Sequence, residues 1–172
     1  AGVHNTENIL AALLVARIHG VDGQVIEEAL RTFRGLSHRV EFVRAIRGVS
    51  FYNDSKATNV DATKRALEGM EGGIILIAGG KDKGGSYRVI REEAGKIKAL
   101  IAIGEARDRI ASELGDAIPT YLERDMAAAV SLAFTKAGQG DSVILSPMCS
   151  SFDMFRDYKD RGNTFRRIVE AL

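Results

Sequence analysis

Apolar residues near the start of the chain recur at every third or fourth position. Ile9, Leu10, Leu13, Leu14 and Ile18 share one helical face, Asn5 is a plausible N-cap, and Gly20 stops the pattern. Val25, Ile26, Ala29, Leu30 and Phe33 predict a second helix over 22–33. From residue 40 the texture changes. Residues 40–46 and 49–53 predict strands flanking a hairpin-like turn at Arg47-Gly48. Strands and helices then alternate. Helices are expected over 61–69, 87–96, 105–114, 125–136 and 162–172, and strands over 74–78, 99–103, 118–121 and 142–145. Strands at this spacing, rich in Ile, Leu and Val on both faces, predict a parallel sheet covered by helices. The fold class is α/β: a doubly wound, mostly parallel Rossmann-like sheet with one antiparallel edge hairpin strand, preceded by two helices.

In open parallel sheets, ligands bind beyond the carboxyl ends of the strands, where strand order reverses. The unusual polar residues fall at those ends. Strand 49–53 runs into Asp54-Ser55-Lys56-Ala57-Thr58-Asn59, strand 74–78 into Gly79-Gly80-Lys81-Asp82-Lys83-Gly84-Gly85, and strand 142–145 into Ser146-Pro147 and on to Ser151-Phe152-Asp153. Converging, the three loops form a mouth with Lys56, Lys81 and Lys83, the hydroxyls of Thr58 and Ser151, and the acids Asp54 and Asp82. That composition suits a small, multiply anionic ligand, because lysines neutralise carboxylate or phosphate while hydroxyls and backbone amides add direction. Polar, glycine-rich connections are also ordinary in this fold, so each loop by itself has a purely structural explanation.

The 172 residues are 45% hydrophobic and 27% charged, which suits one ordinary domain with a small appendage and argues against disorder. Lys+Arg 24 against Asp+Glu 23 leaves a formal charge of +1. A general nucleic-acid binder or acidic-membrane binder usually carries a basic excess, so neither partner is expected. The longest apolar stretch, 9–16, is far short of the roughly 20 residues of a membrane span. The single cysteine, Cys149, excludes an internal disulfide and fits a reducing cytoplasm. With no histidine or base near it in sequence, it reads as a small packed residue. His4, His19 and His38 are far apart, so no metal site is expected; His19 reads as a solvated cation at a helix end. Gly79–Gly85 does not have the order of a phosphate-cradling P-loop, and none occurs elsewhere. The abrupt start, with no strand before the first two helices, predicts a missing N-terminal portion; otherwise both helices pack on the domain that follows.

Gly35-Leu36-Ser37-His38-Arg39, the string Asn53-Asp54-Ser55-Lys56-Ala57-Thr58-Asn59, Asp82-Lys83-Gly84, and Ser146-Pro147 through Ser151-Phe152-Asp153 occur in the order seen in the Mur ligases, which the chain resembles over essentially its whole length. The Asn53–Asn59 string is the most specific element and looks like that of the D-glutamate-adding branch. Ser37 stands where the family often has proline, and Met148 and Ser150 where it often has alanine; these departures remove no proposed ligand.

The resemblance implies an ATP-dependent, amide-forming ligase of bacterial peptidoglycan precursor synthesis, acting in the cytoplasm. It has a UDP-sugar domain, a central ATPase domain and a C-terminal amino-acid-binding domain. Residues 1–34 would be the closing helices of the central domain and 35–172 the C-terminal domain, a part inactive alone. ATP would phosphorylate the carboxylate of UDP-N-acetylmuramoyl-L-alanine, and the amine of D-glutamate would attack the acyl phosphate. Mg2+ would be bound mainly by the missing central domain. Lys83 and Thr58 would hold the side-chain carboxylate of D-glutamate, and Ser151 with the backbone around Phe152 and Tyr158 its other carboxylate. Asn5, Asn8, Arg39 and Asp54 would line the nucleotide, with His38 and Lys56 near the reacting centre.

Simpler roles stand beside these: a cap for Asn5, a helix cap for Ser151, packing for Tyr158, an Arg39–Glu41 pair. Two other readings of the chain also remain. One is a sister ligase domain for another amino acid, including the folylpolyglutamate type. The other is a non-catalytic module that binds nucleotide or amino acid.

Overall fold

The computed structural model of the chain describes the backbone of residues 3–33 and 35–172, and side chains from residue 6 onward. It divides into two compact units, residues 1–36 and 37–172. The first contains α1 (Val3–Ile18) and α2 (Gly23–Thr32). α1 already begins at Val3, so Asn5 lies within a helical turn and not at its cap; its side chain is outside the described residues. α2 is capped by Asp22, whose carboxylate accepts the Gln24 N–H at 2.8 Å. Leu10, Leu14, Ile18, Val25, Leu30 and Phe33 are exposed.

The second unit is built on six strands: β1 (Glu41–Ile46), β2 (Val49–Asn53), β3 (Ile74–Gly79), β4 (Ile97–Ile103), β5 (Thr120–Leu122) and β6 (Ser142–Leu145). Their order is β1-β2-β6-β3-β4-β5. Only β1 and β2 are antiparallel, joined through Arg47 and Gly48 with φ of 51° and 79°, a two-residue turn whose twist matches that of the strands. The other pairings are parallel. After β2 the chain skips a position to β3, walks outward to β4 and β5, and returns as β6 between β2 and β3. Strand order therefore reverses around β6, as a doubly wound sheet requires.

Alternation along the strands divides the core in two. Ile74, Leu76 and Ala78 face α3 (Val60–Glu68), α4 (Arg107–Leu114) and the helical segment Arg88–Lys96, meeting Leu67, Ile90 and Ile110. Ile75 and Ile77 face the other way, toward α5 (Met126–Lys136) and α6 (Tyr158–Glu170), meeting Val130, Ala133 and Phe165. Each such Ile or Leu removed from water contributes about 1.5–3 kcal/mol, so both layers are held on the sheet by burial. No helix among the described residues is long and apolar enough to cross a membrane.

β4 begins two residues before its expected start and α4 two after, and three further differences have a local cause. Residues 88–96 wind as a 3₁₀ helix: no side chain caps it at Tyr87, and its first turn closes from Ile90 N–H to the Tyr87 carbonyl, an i to i+3 bond. β5 starts at Thr120 and not at 118, because Pro119 has no N–H to give the ladder, although its carbonyl accepts from Leu100. α6 starts at Tyr158, four residues before the expected position, because Asp157 caps it by accepting the Asp160 N–H at 2.8 Å. Gly162, the first residue of the expected range, sits inside the helix.

Candidate active site at the carboxyl ends of the strands

Backbone hydrogen bonds bring the three polar loops side by side. Asp54 N–H donates to the Leu145 carbonyl at 2.8 Å, Ser146 N–H to Ile77 at 3.1 Å, and Gly79 N–H to Pro147 at 2.8 Å. Lys81 N–H then donates to the Ser150 carbonyl at 2.9 Å, forming an isolated antiparallel bridge. That contact depends on Gly80: at φ 132°, a Cβ there would overlap the Ser150 carbonyl oxygen.

The first loop carries Lys56 and Thr58. Lys56 N–H donates to the His38 carbonyl at 3.0 Å, joining this loop to the segment before β1. Lys56 Nζ lies 4.0 Å from the centre of the Tyr158 ring, and His38 meets the same ring edge-on at 5.8 Å. His38, Lys56 and Tyr158 thus form one cluster, although the family resemblance implies a role for Tyr158 apart from the other two.

His38 has φ 65° and Val40 has φ 44°, an uncommon conformation for any side chain and a strained one for a β-branched residue. Besides the Lys56 bond to the His38 carbonyl, three contacts hold the segment. His38 N–H donates to Glu41 Oε2 at 2.9 Å, Val40 N–H donates to Asp54 Oδ1 at 3.2 Å, and the Asn53 amide nitrogen lies 3.0 Å from His38 Nδ1. Asn53 Oδ1 accepts from Ser55 N–H, which orients the amide, so Nδ1 is an acceptor and the imidazole proton sits on Nε2. Burial lowers the His38 pKa, so the ring is neutral near pH 7. Glu41 pairs with Arg166, not with Arg39, which is exposed. Asp54 is buried, and its second oxygen accepts the Ser146 hydroxyl at 2.7 Å.

On the second loop, Lys83 Nζ donates to the Thr58 carbonyl at 2.9 Å. These residues, assigned to one carboxylate, are therefore brought together. The loop's shape comes from Asp82. Its Oδ1 accepts from Gly84 N–H and from the Tyr87 hydroxyl, each at 2.9 Å, and its Oδ2 pairs with Arg109 at 2.7 Å. Those donors, Gly84 N–H first and Arg109 next, hold the Asp82 carboxyl down to about 2. The Tyr87 hydroxyl also lies 3.2 Å from Cys149 Sγ; the buried thiol is a packed residue whose pKa burial pushes up.

On the third loop Ser151 is buried and Phe152 is 69% exposed. The Ser151 carbonyl accepts from Phe155 N–H at 2.8 Å in a turn; no helix starts there for Ser151 to cap. Asn8 lies on an exposed part of α1, in the first unit. No cluster of three or more His, Cys, Asp or Glu is gathered among the described residues. Arg39 has the charge and exposure to meet a phosphate, whereas both oxygens of Asp54 already serve the protein's own donors.

Sequence reasoning missed the supports of this site. Arg161 is 1% exposed and bonded to the loops that follow β2 and β6, and Asn53 orients His38. Gly162 lets α6 approach the imidazole, since a Cβ there would overlap His38 Nδ1. The one available signal was Asp157 three residues before Asp160, a capping pattern that moves the helix start and places Arg161-Gly162 in its first turns.

The model of the family described as "Mur ligase, glutamate ligase domain" matches residues 38–149. UDP-N-acetylmuramoylalanine–D-glutamate ligase of Acidobacterium capsulatum is 50% identical over 171 residues, covering 99% of this chain and 37% of that protein. The enzyme of the same name from Bdellovibrio bacteriovorus is 48% identical, with 99% and 37% covered. The chain thus spans little more than a third of these relatives' length. Among solved structures, UDP-N-acetylmuramate-alanine ligase of Thermotoga maritima shares the fold at a TM-score of 0.70 and 16% identity, covering 99% of this chain and 39% of that one. The bifunctional folylpolyglutamate synthase/dihydrofolate synthase of Yersinia pestis does so at 0.59 and 16%, covering 87% and 34%.

Proposed function

The chain belongs to the Mur ligase family, and from that membership we propose that it is the C-terminal, amino-acid-binding part of a UDP-N-acetylmuramoylalanine–D-glutamate ligase. Residues 1–34 are read as the closing helices of the central ATPase domain, consistent with the exposed apolar side chains of α1 and α2. The place of action is the bacterial cytoplasm.

The observation that carries this reading is Lys83 on Thr58. An ammonium group rests on a neutral carbonyl at the mouth of the sheet, with no ion pair among the described residues. An incoming carboxylate would replace that carbonyl as a stronger, charge-assisted partner. Lys83 and Thr58 then hold the side-chain carboxylate of D-glutamate, and Ser151 with the backbone of Phe152 and Tyr158 holds the other. ATP, bound with Mg2+ mainly by the upstream domain, supplies the phosphoryl group that activates the acceptor carboxylate. Within this chain, Arg39 faces the phosphates, and Asp54 fixes the Val40 backbone beside it. Neutral His38, its Nδ1 engaged by Asn53, keeps an Nε2 proton to donate to an oxygen gaining charge, while Lys56 adds positive charge there.

In the full-length ligase, Lys83→Ala should weaken D-glutamate use by about 1.5–3 kcal/mol, roughly ten- to 150-fold in kcat/KM. Steady-state kinetics check this; an unchanged KM for D-glutamate contradicts the assignment.

A further inference from the structure

Arg161 lies in the first turns of α6 with its guanidinium wholly inside the protein. Its Nε donates to Ser55 Oγ at 3.0 Å and its Nη2 to the Ser55 carbonyl at 2.9 Å. Nη1 donates to the carbonyls of Cys149 at 3.1 Å and Ser150 at 3.2 Å. The Ser55 hydroxyl itself donates to the Tyr158 carbonyl at 2.8 Å, and the Ser150 carbonyl also accepts from the Lys81 N–H. One side chain therefore joins the loop carrying Lys56 and Thr58, the loop carrying Ser151, the bridge leading to Lys83, and the turn carrying Tyr158.

No carboxylate pairs with it among the described residues. Asp153 exerts an attraction, but its Oδ2 is bonded to Glu105 N–H at 2.9 Å. Burying an unpaired cation is expensive, and a neutral donor could bridge carbonyls at lower cost. The guanidinium offers two things a neutral group cannot. Its planar fork of five N–H donors spans carbonyls from separate loops, and its charge, with little water around it, favours anions nearby.

We infer that Arg161 is a positioning residue for the amino-acid substrate: it fixes the spacing between the Thr58 and Ser151 walls and biases the site between them toward a doubly anionic ligand. This rests on the D-glutamate reading above.

The test is made in the full-length ligase with Arg161→Lys, which keeps the charge but loses the fork, and with Ser55→Ala, which removes one acceptor. KM is measured for D-glutamate, ATP and UDP-N-acetylmuramoyl-L-alanine, with Tm alongside. Arg161→Lys should raise the KM for D-glutamate about tenfold or more and leave the other two within about twofold. Ser55→Ala should move the same constant by about threefold, and it decides the matter if Arg161→Lys does not fold. A lower Tm with an unmoved D-glutamate KM, or an equal rise in all three constants, reduces Arg161 to a structural role and overturns the inference. A wild-type enzyme without D-glutamate-dependent turnover overturns the functional reading and this inference together. Normal wild-type turnover with unaffected variants overturns the inference alone.

Discussion

Burial pushes the Asp54 carboxyl up to about 6, outweighing the Ser146 and Val40 hydrogen bonds that favour its charged form. A folded pKa above the unfolded value of 3.8 means that folding favours the protonated acid. The stabilisation is complete below the unfolded pKa and is lost as pH rises through about 6. Its full extent is on the order of 3 kcal/mol. Asp82 acts in the opposite sense: held down to about 2, it contributes stability above 3.8 that is lost as pH falls. The two limbs do not overlap. Asp54→Asn should therefore flatten the urea-unfolding profile between about pH 4 and 6.5 and match or exceed the wild type at pH 7.5. A variant profile parallel to the wild type would contradict this assignment. At this scale the mouth was legible, because Lys56, Thr58, Lys83 and Ser151 follow directly on strands whose pattern is plain. Arg161 was not, since an arginine at helical spacing reads as a solvated face, and only the contacts show that its partners are carbonyls.

Among the elements, α6 couples packing to the site most directly. Asp157 caps it, so Asp157→Ala should lower stability by about 1 kcal/mol without altering the strand cores. Gly162→Ala has a larger consequence. Alanine suits a helix interior better by roughly 1 kcal/mol, but here its methyl would displace the His38 ring from Asn53. The expected net result is a loss of about 1–3 kcal/mol in denaturant unfolding, together with reduced turnover. A more stable, fully active variant would show that the imidazole yields at no cost. The sheet was readable because Ile, Leu and Val occupy both faces of its strands, whereas element ends depended on local chemistry that periodicity does not contain. Pro119 delayed β5, Asp157 advanced α6, and the uncapped start at Tyr87 left a 3₁₀ helix.

At the scale of the molecule, the second unit gathers Lys56, Lys83 and the hydroxyls of Thr58 and Ser151 at the reversal of strand order, while no P-loop occurs in the sequence. The 172-residue chain alone should therefore show no ATP hydrolysis above a buffer blank; turnover surviving rigorous purification would contradict the division of labour proposed here. The fold class and the order of the loops were legible in the chain. The supports beneath the loops depend on residues some hundred positions apart, such as Ser55 and Arg161, whose meeting only the folded topology specifies. The most direct test of the central claim is phosphate release by the full-length ligase with ATP, Mg2+ and UDP-N-acetylmuramoyl-L-alanine, comparing D-glutamate with L-glutamate, L-lysine and diaminopimelate. Release that depends on D-glutamate alone is predicted; release driven by another amino acid, or by none of the four, would contradict it.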